Sequence, residues 1–197
     1  MIINLLLFFI YSVIGQFYEA LTILVYENKL DLNRGFLMGP YIPIYGVGAM
    51  FILEIGKLSN NIIIIFLLSF IICMITEYVT SYVMEKLFNA RWWDYSNLKY
   101  NLNGRVELGR LLSFGLMGVI IIMIINPIVL NILGMIPIPI LNIISFLIVF
   151  IMLIDFIFSS YVSFGISKNI NKLSLNDKTI YFRNEIKNKL FEIIKSI

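Results

Sequence analysis

The chain has 197 residues, of which 60% are hydrophobic and 14% charged, with a mean hydropathy of +0.92. A soluble domain carries about half apolar and about a quarter charged residues, so a water-soluble globule is excluded, and a net charge of only +3, with its basic excess near the C-terminus, argues against a nucleic-acid binder. There is no histidine and one cysteine, Cys73, which removes Ser-His-Asp catalysis, histidine-ligated zinc and an intrachain disulfide; no metal and no other cofactor is expected.

The first apolar run, residues 2–26, reads as a retained membrane span, because it lacks the basic leader and small-residue cleavage site of a signal peptide. Ser12, Gln16 and Glu19 lie four and three apart and share one helix face. A glutamate inside a span faces the bundle interior or a wet cavity. The next stretch holds Asn33 and Arg34, and then Gly35, Gly39, Pro40, Pro43, Gly46 and Gly48, which break helix repeatedly. Non-helical backbone at membrane depth persists only where protein or a water-filled cavity satisfies it. The second span, residues 44–58, is therefore expected to be short or re-entrant, with Tyr45 near its start.

The third span, residues 62–88, carries Glu77, Ser81 and Glu85 on neighbouring turns of one face, with Tyr78 beside them. The loop 89–110 that follows concentrates Arg91, Trp92, Trp93, Asp94, Tyr95, Asn101 and the Gly104-Arg105 step. A fourth span is expected over 111–133, kinked near Asn126-Pro127, and a fifth over 140–165 with Asp155 near its middle. In residues 176–197 the spacing of Ile186, Leu190 and Ile197 predicts an amphipathic helix. The fold class that results is all-α: a polytopic membrane bundle of about five spans (1–166) with a cytoplasmic amphipathic tail (167–197).

Fourteen of the fifteen Lys and Arg residues fall in the loop after the first span, the loop after the third and the tail; the exception is Lys57. Cytoplasmic segments collect such residues, so the N-terminus is expected outside and the C-terminus inside. In this arrangement Glu19 and Glu77 lie at similar depth, Asp155 lies near the midplane, and Arg34 and Arg105 emerge on the same side. The expectation is an inward-opening polar cavity drawn from Glu19, Asn33, Arg34, Tyr45, Glu77, Tyr78, Asp94, Tyr95, Asn101, Arg105 and Asp155. At least one of the two glutamates should pair with Arg34 or Arg105 at about 3 Å, with Asp94 or Tyr95 joining. Simpler readings stand beside this one: an interfacial aromatic belt for the tryptophans, a helix-breaking connector for the glycines and prolines, and structural ion pairs for the acids.

Several motifs occur in order: Tyr11-Ser12 with Gly15 and Glu19; Asn33-Arg34-Gly35-Phe36-Leu37 with Gly39-Pro40; Pro43-Ile44-Tyr45-Gly46; Glu77-Tyr78; Glu85-Lys86-Leu87-Phe88; Arg91-Trp92-Trp93-Asp94-Tyr95-Ser96; and Asn101 with Gly104-Arg105. Across about residues 8–118 this pattern resembles the ABC-transporter type IV, CmpB-like permease family of small bacterial membrane proteins. The chain departs from that pattern at Gln16 and Phe114, where the family often has tryptophan, and at Glu107, where a small or sulfur-containing residue is usual. The resemblance implies a multi-pass plasma-membrane component of a transport system. No Gly-x-x-x-x-Gly-Lys-Ser/Thr loop is present, so ATP-driven work needs a separate ATPase subunit, and five spans imply a homo- or hetero-oligomer. Two rival functions are a membrane enzyme acting on a lipid headgroup or polyprenyl-phosphate, with Glu19 or Glu77 as base and Arg34 and Arg105 as phosphate clamp, and a non-transporting accessory protein.

Overall fold

The computed structural model describes residues 2–28, 35–89, 91–167 and six single positions between 185 and 195. Asn33, Arg34 and most of the expected tail helix lie outside the described residues. The elements are α1 (Ile2–Glu27), α2 (Pro43–Leu58), α3 (Ile62–Phe88), β1 (Asn101–Leu102), β2 (Val106–Glu107), α4 (Leu108–Ile120), a π turn (Ile121–Ile125), α5 (Asn126–Gly134) and α6 (Ile138–Ser167). The architecture is helical, and β1 and β2 form one short antiparallel hairpin within it.

Among the described residues, four helices are long and apolar enough to cross a membrane: Ile2–Val25, Ile62–Phe88, Leu108–Gly134 and Ile138–Gly165. The second expected span is not among them. Pro43 opens α2 at its first turn, and the helix runs for only 16 residues. At about 1.5 Å per residue that is roughly 24 Å, short of the ~30 Å hydrocarbon layer.

Local chemistry sets the helix ends. Asn61 caps α3, its Oδ1 accepting from the amides of Ile63 and Ile64 at 2.9 and 3.4 Å. Asn89 closes α3 in the left-handed region, φ 52°. Glu107 caps α4, its two oxygens accepting from the amides of Gly109 and Arg110 at 2.8 and 2.9 Å. The kink expected at Asn126-Pro127 takes the form of the π turn: the Asn126 amide donates to the Ile121 carbonyl, one residue further back than in an α-helix.

The short helix α2 is the centre of the bundle, packed against α1, α3 and the π turn. Small residues let the backbones approach, which is how helices associate in lipid. A methyl group on Gly46 would overlap Ser12 Oγ and the Phe8 carbonyl of α1; one on Gly15 would overlap the Tyr45 side chain; one on Gly118 would overlap Ser69 of α3. The buried cluster beside these contacts joins Leu6, Leu7 and Tyr11 to Ala49, Ile52, Ile121, Leu133 and Leu141. The Tyr11 hydroxyl donates to Asn126 Oδ1 at 3.1 Å and ties α1 to α5.

Gly46→Val forces α1 and α2 apart, and we expect a loss of about 1–3 kcal/mol, read as a lower melting temperature in detergent. Gly165→Ala is the control: a Cβ there meets nothing within 4 Å, so its melting temperature should stay at or above that of the wild type.

Candidate functional site

The described residues of the expected polar pocket fall into three clusters. The first holds a loop. Residues 35–42 run between α3, α6 and α1 without regular structure, so their amides need partners from elsewhere. Asp155 of α6 supplies them: its Oδ1 accepts from the Met38 amide and its Oδ2 from the Gly39 amide, both at 2.9 Å. The Tyr41 hydroxyl donates to the same carboxylate at 2.7 Å, and Ser159 donates to it at 3.0 Å. The Ile42 amide reaches the Ser12 carbonyl in α1 at 3.0 Å. Phe36 fills the space beneath the loop, its ring 5.3–6.2 Å from those of Phe88, Trp92 and Phe156.

The second cluster clamps the segment between α3 and α4. Asn103 and Gly104 have φ of 54° and 68°, and the Arg105 amide closes the turn on the Leu102 carbonyl at 3.0 Å, which makes a type I′ hairpin turn. A Cβ on Gly104 would overlap Asp94 Oδ1 and Ser96 Oγ. The hairpin directs buried Arg105 at the last turns of α3. There it pairs with Glu85, donates to Ser81 Oγ at 3.1 Å and lies over the rings of Tyr78 and Tyr82 at 5.7 and 5.4 Å. Arg91 pairs with the same Glu85 oxygen at 3.0 Å. Asn103 donates to the Tyr78 hydroxyl at 3.0 Å, and the Trp93 indole donates to the Arg105 carbonyl at 2.8 Å. Asp94 accepts from Ser96, and Asn101 accepts from the Gly104 amide at 2.8 Å. Tyr78, Asp94, Asn101 and Arg105 are thus engaged in building the loop.

The third cluster lines a cavity of about 590 Å³ between α1, α2, α3, α4, α6 and the two loops. Its wall is largely apolar and aromatic, with Phe36, Phe88, Trp92, Trp93, Phe114 and Phe164 prominent. From the expected polar set it takes Glu19, Tyr45, Glu77 and Tyr95. Tyr45 donates to Glu19 Oε2 at 2.6 Å, and Tyr95 donates to Glu77 Oε1 at 3.1 Å. Burial, and next the Glu77 carboxylate, hold the Tyr95 hydroxyl well above the ordinary tyrosine range, so it remains a donor at neutral pH.

Of the two expected arginines, Arg34 lies outside the described residues and Arg105 points elsewhere; the arginine that the described residues bring to Glu19 is Arg110. Arg110, in the first turn of α4, sits 3.6 Å from Glu19 Oε1 and 4.7 Å from the centre of the Tyr95 ring. Arg105 cannot take that place, because its partner Glu85 is eight residues, or about 12 Å, further along α3 than Glu77. Tyr18 and Ser113 complete the group with a 2.6 Å hydrogen bond between α1 and α4. Helical spacing places Glu85 on the face of Glu77 and Ser81 without giving it a partner, and sequence reasoning did not single out Arg110, Tyr18 or Ser113 for this site. The Asn-Gly pair, a strong hairpin signal, was the one local clue to where Arg105 would point.

The family described as Putative ABC-transporter type IV matches residues 6–160. This chain belongs to that family. No curated protein and no solved structure matches it. The type IV match runs from α1 into α6 and takes in all three clusters, with the cavity wall up to Ser160. Membership and the four long apolar helices make the chain a multi-pass membrane protein of the transporter type.

Two predictions follow from the clusters. Asp155→Ala strips acceptors from two backbone amides and two hydroxyls, and should cost on the order of 3 kcal/mol, whereas Tyr41→Phe should cost about 1 kcal/mol; melting curves in detergent compare them. Arg105→Gln and Glu85→Gln should each destabilise, while the double variant loses less than their sum by about 1 kcal/mol or more, read from the same melts.

Proposed function

We propose that this chain is a permease-like subunit of a transport system and takes its solute into the 590 Å³ cavity from the cytoplasmic side. The cavity is the observation that carries this reading: it lies among the long apolar helices and is lined by two acids in an otherwise greasy wall. Its volume is that of a small-molecule site. Family membership supports a transport role.

The fifth crossing, in this reading, is made by α2 together with loop 35–42. Ser12 lies ten residues into α1, about 15 Å from its start, so the loop that meets it through the Ile42 amide enters at mid-depth. The loop is re-entrant, Asp155 satisfies its backbone, and α2 completes the crossing. The basic residues then place the N-terminus outside and the clamped loop and tail in the cytoplasm of a bacterial plasma membrane. A separate ATPase would dock there, on the exposed tip formed by Ser96, Asn97, Leu98, Lys99 and Tyr100. The broad apolar face of α6, with Ile143 and Phe146 exposed, suits lipid or a second membrane subunit. A phosphate-clamping enzyme is the weaker reading, because Arg105 is engaged by Glu85 and Ser81.

The test uses single cysteines in a Cys73→Ser background. Lys99→Cys and the cavity variant Thr80→Cys should react with a membrane-impermeant thiol reagent in inside-out vesicles and stay unreacted in intact spheroplasts. Labelling of position 99 from outside overturns the orientation. Labelling of position 80 from neither side removes the inward-facing cavity.

A further inference from the structure

Two carboxyl groups and one guanidinium belong to the third cluster. Glu19 has two partners, Tyr45 and Arg110. Glu77 is 7% exposed, and one of its oxygens takes the Tyr95 hydroxyl; the other, Oε2, is buried with no hydrogen-bond partner among the described residues. Native interiors rarely leave such an atom unmatched, and a buried carboxylate without a counter-charge is costly. With both acids ionised, the described residues of the cluster carry one negative charge more than Arg110 balances. Around that charge the wall is aromatic: Tyr18, Tyr45, Trp92, Trp93, Tyr95 and Phe114 all line the cavity. Aromatic faces attract cations and repay burial of an apolar body.

We infer that the cavity binds an amphiphilic organic cation: an apolar or aromatic body of small-molecule size carrying a protonated amine, with the amine at the Glu77 carboxylate in the cavity wall. This deepens the transport reading above and rests on it. A neutral amphiphile could at most give Oε2 a hydrogen bond and would bring no counter-charge. An anion would meet two carboxylates with, among the described residues, one guanidinium, already engaged by Glu19, to offset them. The amine can come from a free solute or from an aminolipid headgroup, since both present the same ammonium to Glu77.

The chain's two tryptophans, Trp92 and Trp93, both line the cavity, so intrinsic fluorescence reports on occupancy. The protein is placed in phosphatidylcholine–phosphatidylglycerol nanodiscs and titrated with 11-bromoundecylamine, 11-bromoundecanol and 11-bromoundecanoate, whose bromine quenches tryptophan at contact. The amine should quench saturably at a concentration about tenfold or more below the alcohol, which corresponds to at least about 1.4 kcal/mol, and the carboxylate should not saturate. Glu77→Gln should erase the amine's advantage over the alcohol, and Glu77→Asp should retain it. Equal affinity of wild type for amine and alcohol overturns the cation inference while leaving the cavity as a solute site. Absence of saturable quenching by any of the three removes the cavity reading itself. Because the wild-type comparison needs no variant, a Glu77→Gln protein that fails to fold does not shield the inference. A repeat in nanodiscs containing phosphatidylethanolamine separates the sources: competition assigns the amine to a lipid headgroup, and unchanged affinity assigns it to a free solute.

Discussion

The Asp155 carboxylate is the contact on which the rest of the structure depends. Backbone outside a helix must find partners for its amides and carbonyls, and residues 35–42 form no regular structure until α2 begins at Pro43. One side chain from α6 accepts from two successive amides and a tyrosine hydroxyl of that loop, and so makes an irregular segment affordable among helices. With the loop held, Pro43 starts α2 beside the middle of α1, Gly46 and Gly15 bring the two backbones together, and Phe36 is seated against Phe88 and Trp92. The cavity is the space left under that loop, where α2 begins late.

The long helices were legible because the hydrocarbon layer imposes length and composition together. The third span was read as residues 62–88, and α3 is Ile62–Phe88; its start is marked by Asn61, a capping residue ahead of an isoleucine run. The glycines and prolines of residues 35–48 also announced irregular backbone, and they stand where the chain departs from helix or where helices touch. Charge pairing was not legible in the same way. Glu77, Glu85, Arg105 and Arg110 are all plausible partners by depth, and the choice among them rests on the direction in which a two-residue turn sends the chain. That turn sends Arg105 to Glu85 and leaves Arg110, one turn into α4, facing Glu19 and Tyr95.

The same geometry explains why a single polar pocket became three clusters. Each polar residue in a lipid-embedded bundle finds the nearest group able to satisfy it, and the nearest group differs by location. Asp155 meets loop amides, Asp94 and Asn101 meet their own loop, and Glu19 and Glu77 meet Tyr45, Arg110 and Tyr95 at the wall of the apolar cavity. Glu107, where the family pattern favours a small residue, is occupied in the same local way: it caps α4 and so fixes the helix turn that presents Arg110.

The π turn at Ile121–Ile125 has a consequence for how the α4–α5 rod tolerates a change of length. Each residue of a regular helix rotates the chain by roughly 100°, so one residue added or removed normally swings everything downstream to a new face. The π turn absorbs one residue without that swing, which keeps Asn126 directed at Tyr11 on the side where Gly118 meets Ser69. Loss of one isoleucine from this turn would restore an unbroken α-helix and preserve the facing of α5, whereas the same loss two turns earlier would rotate Asn126 away from Tyr11. The bulge is therefore the one place along this rod where the chain can change its residue count by one and keep its register with α1.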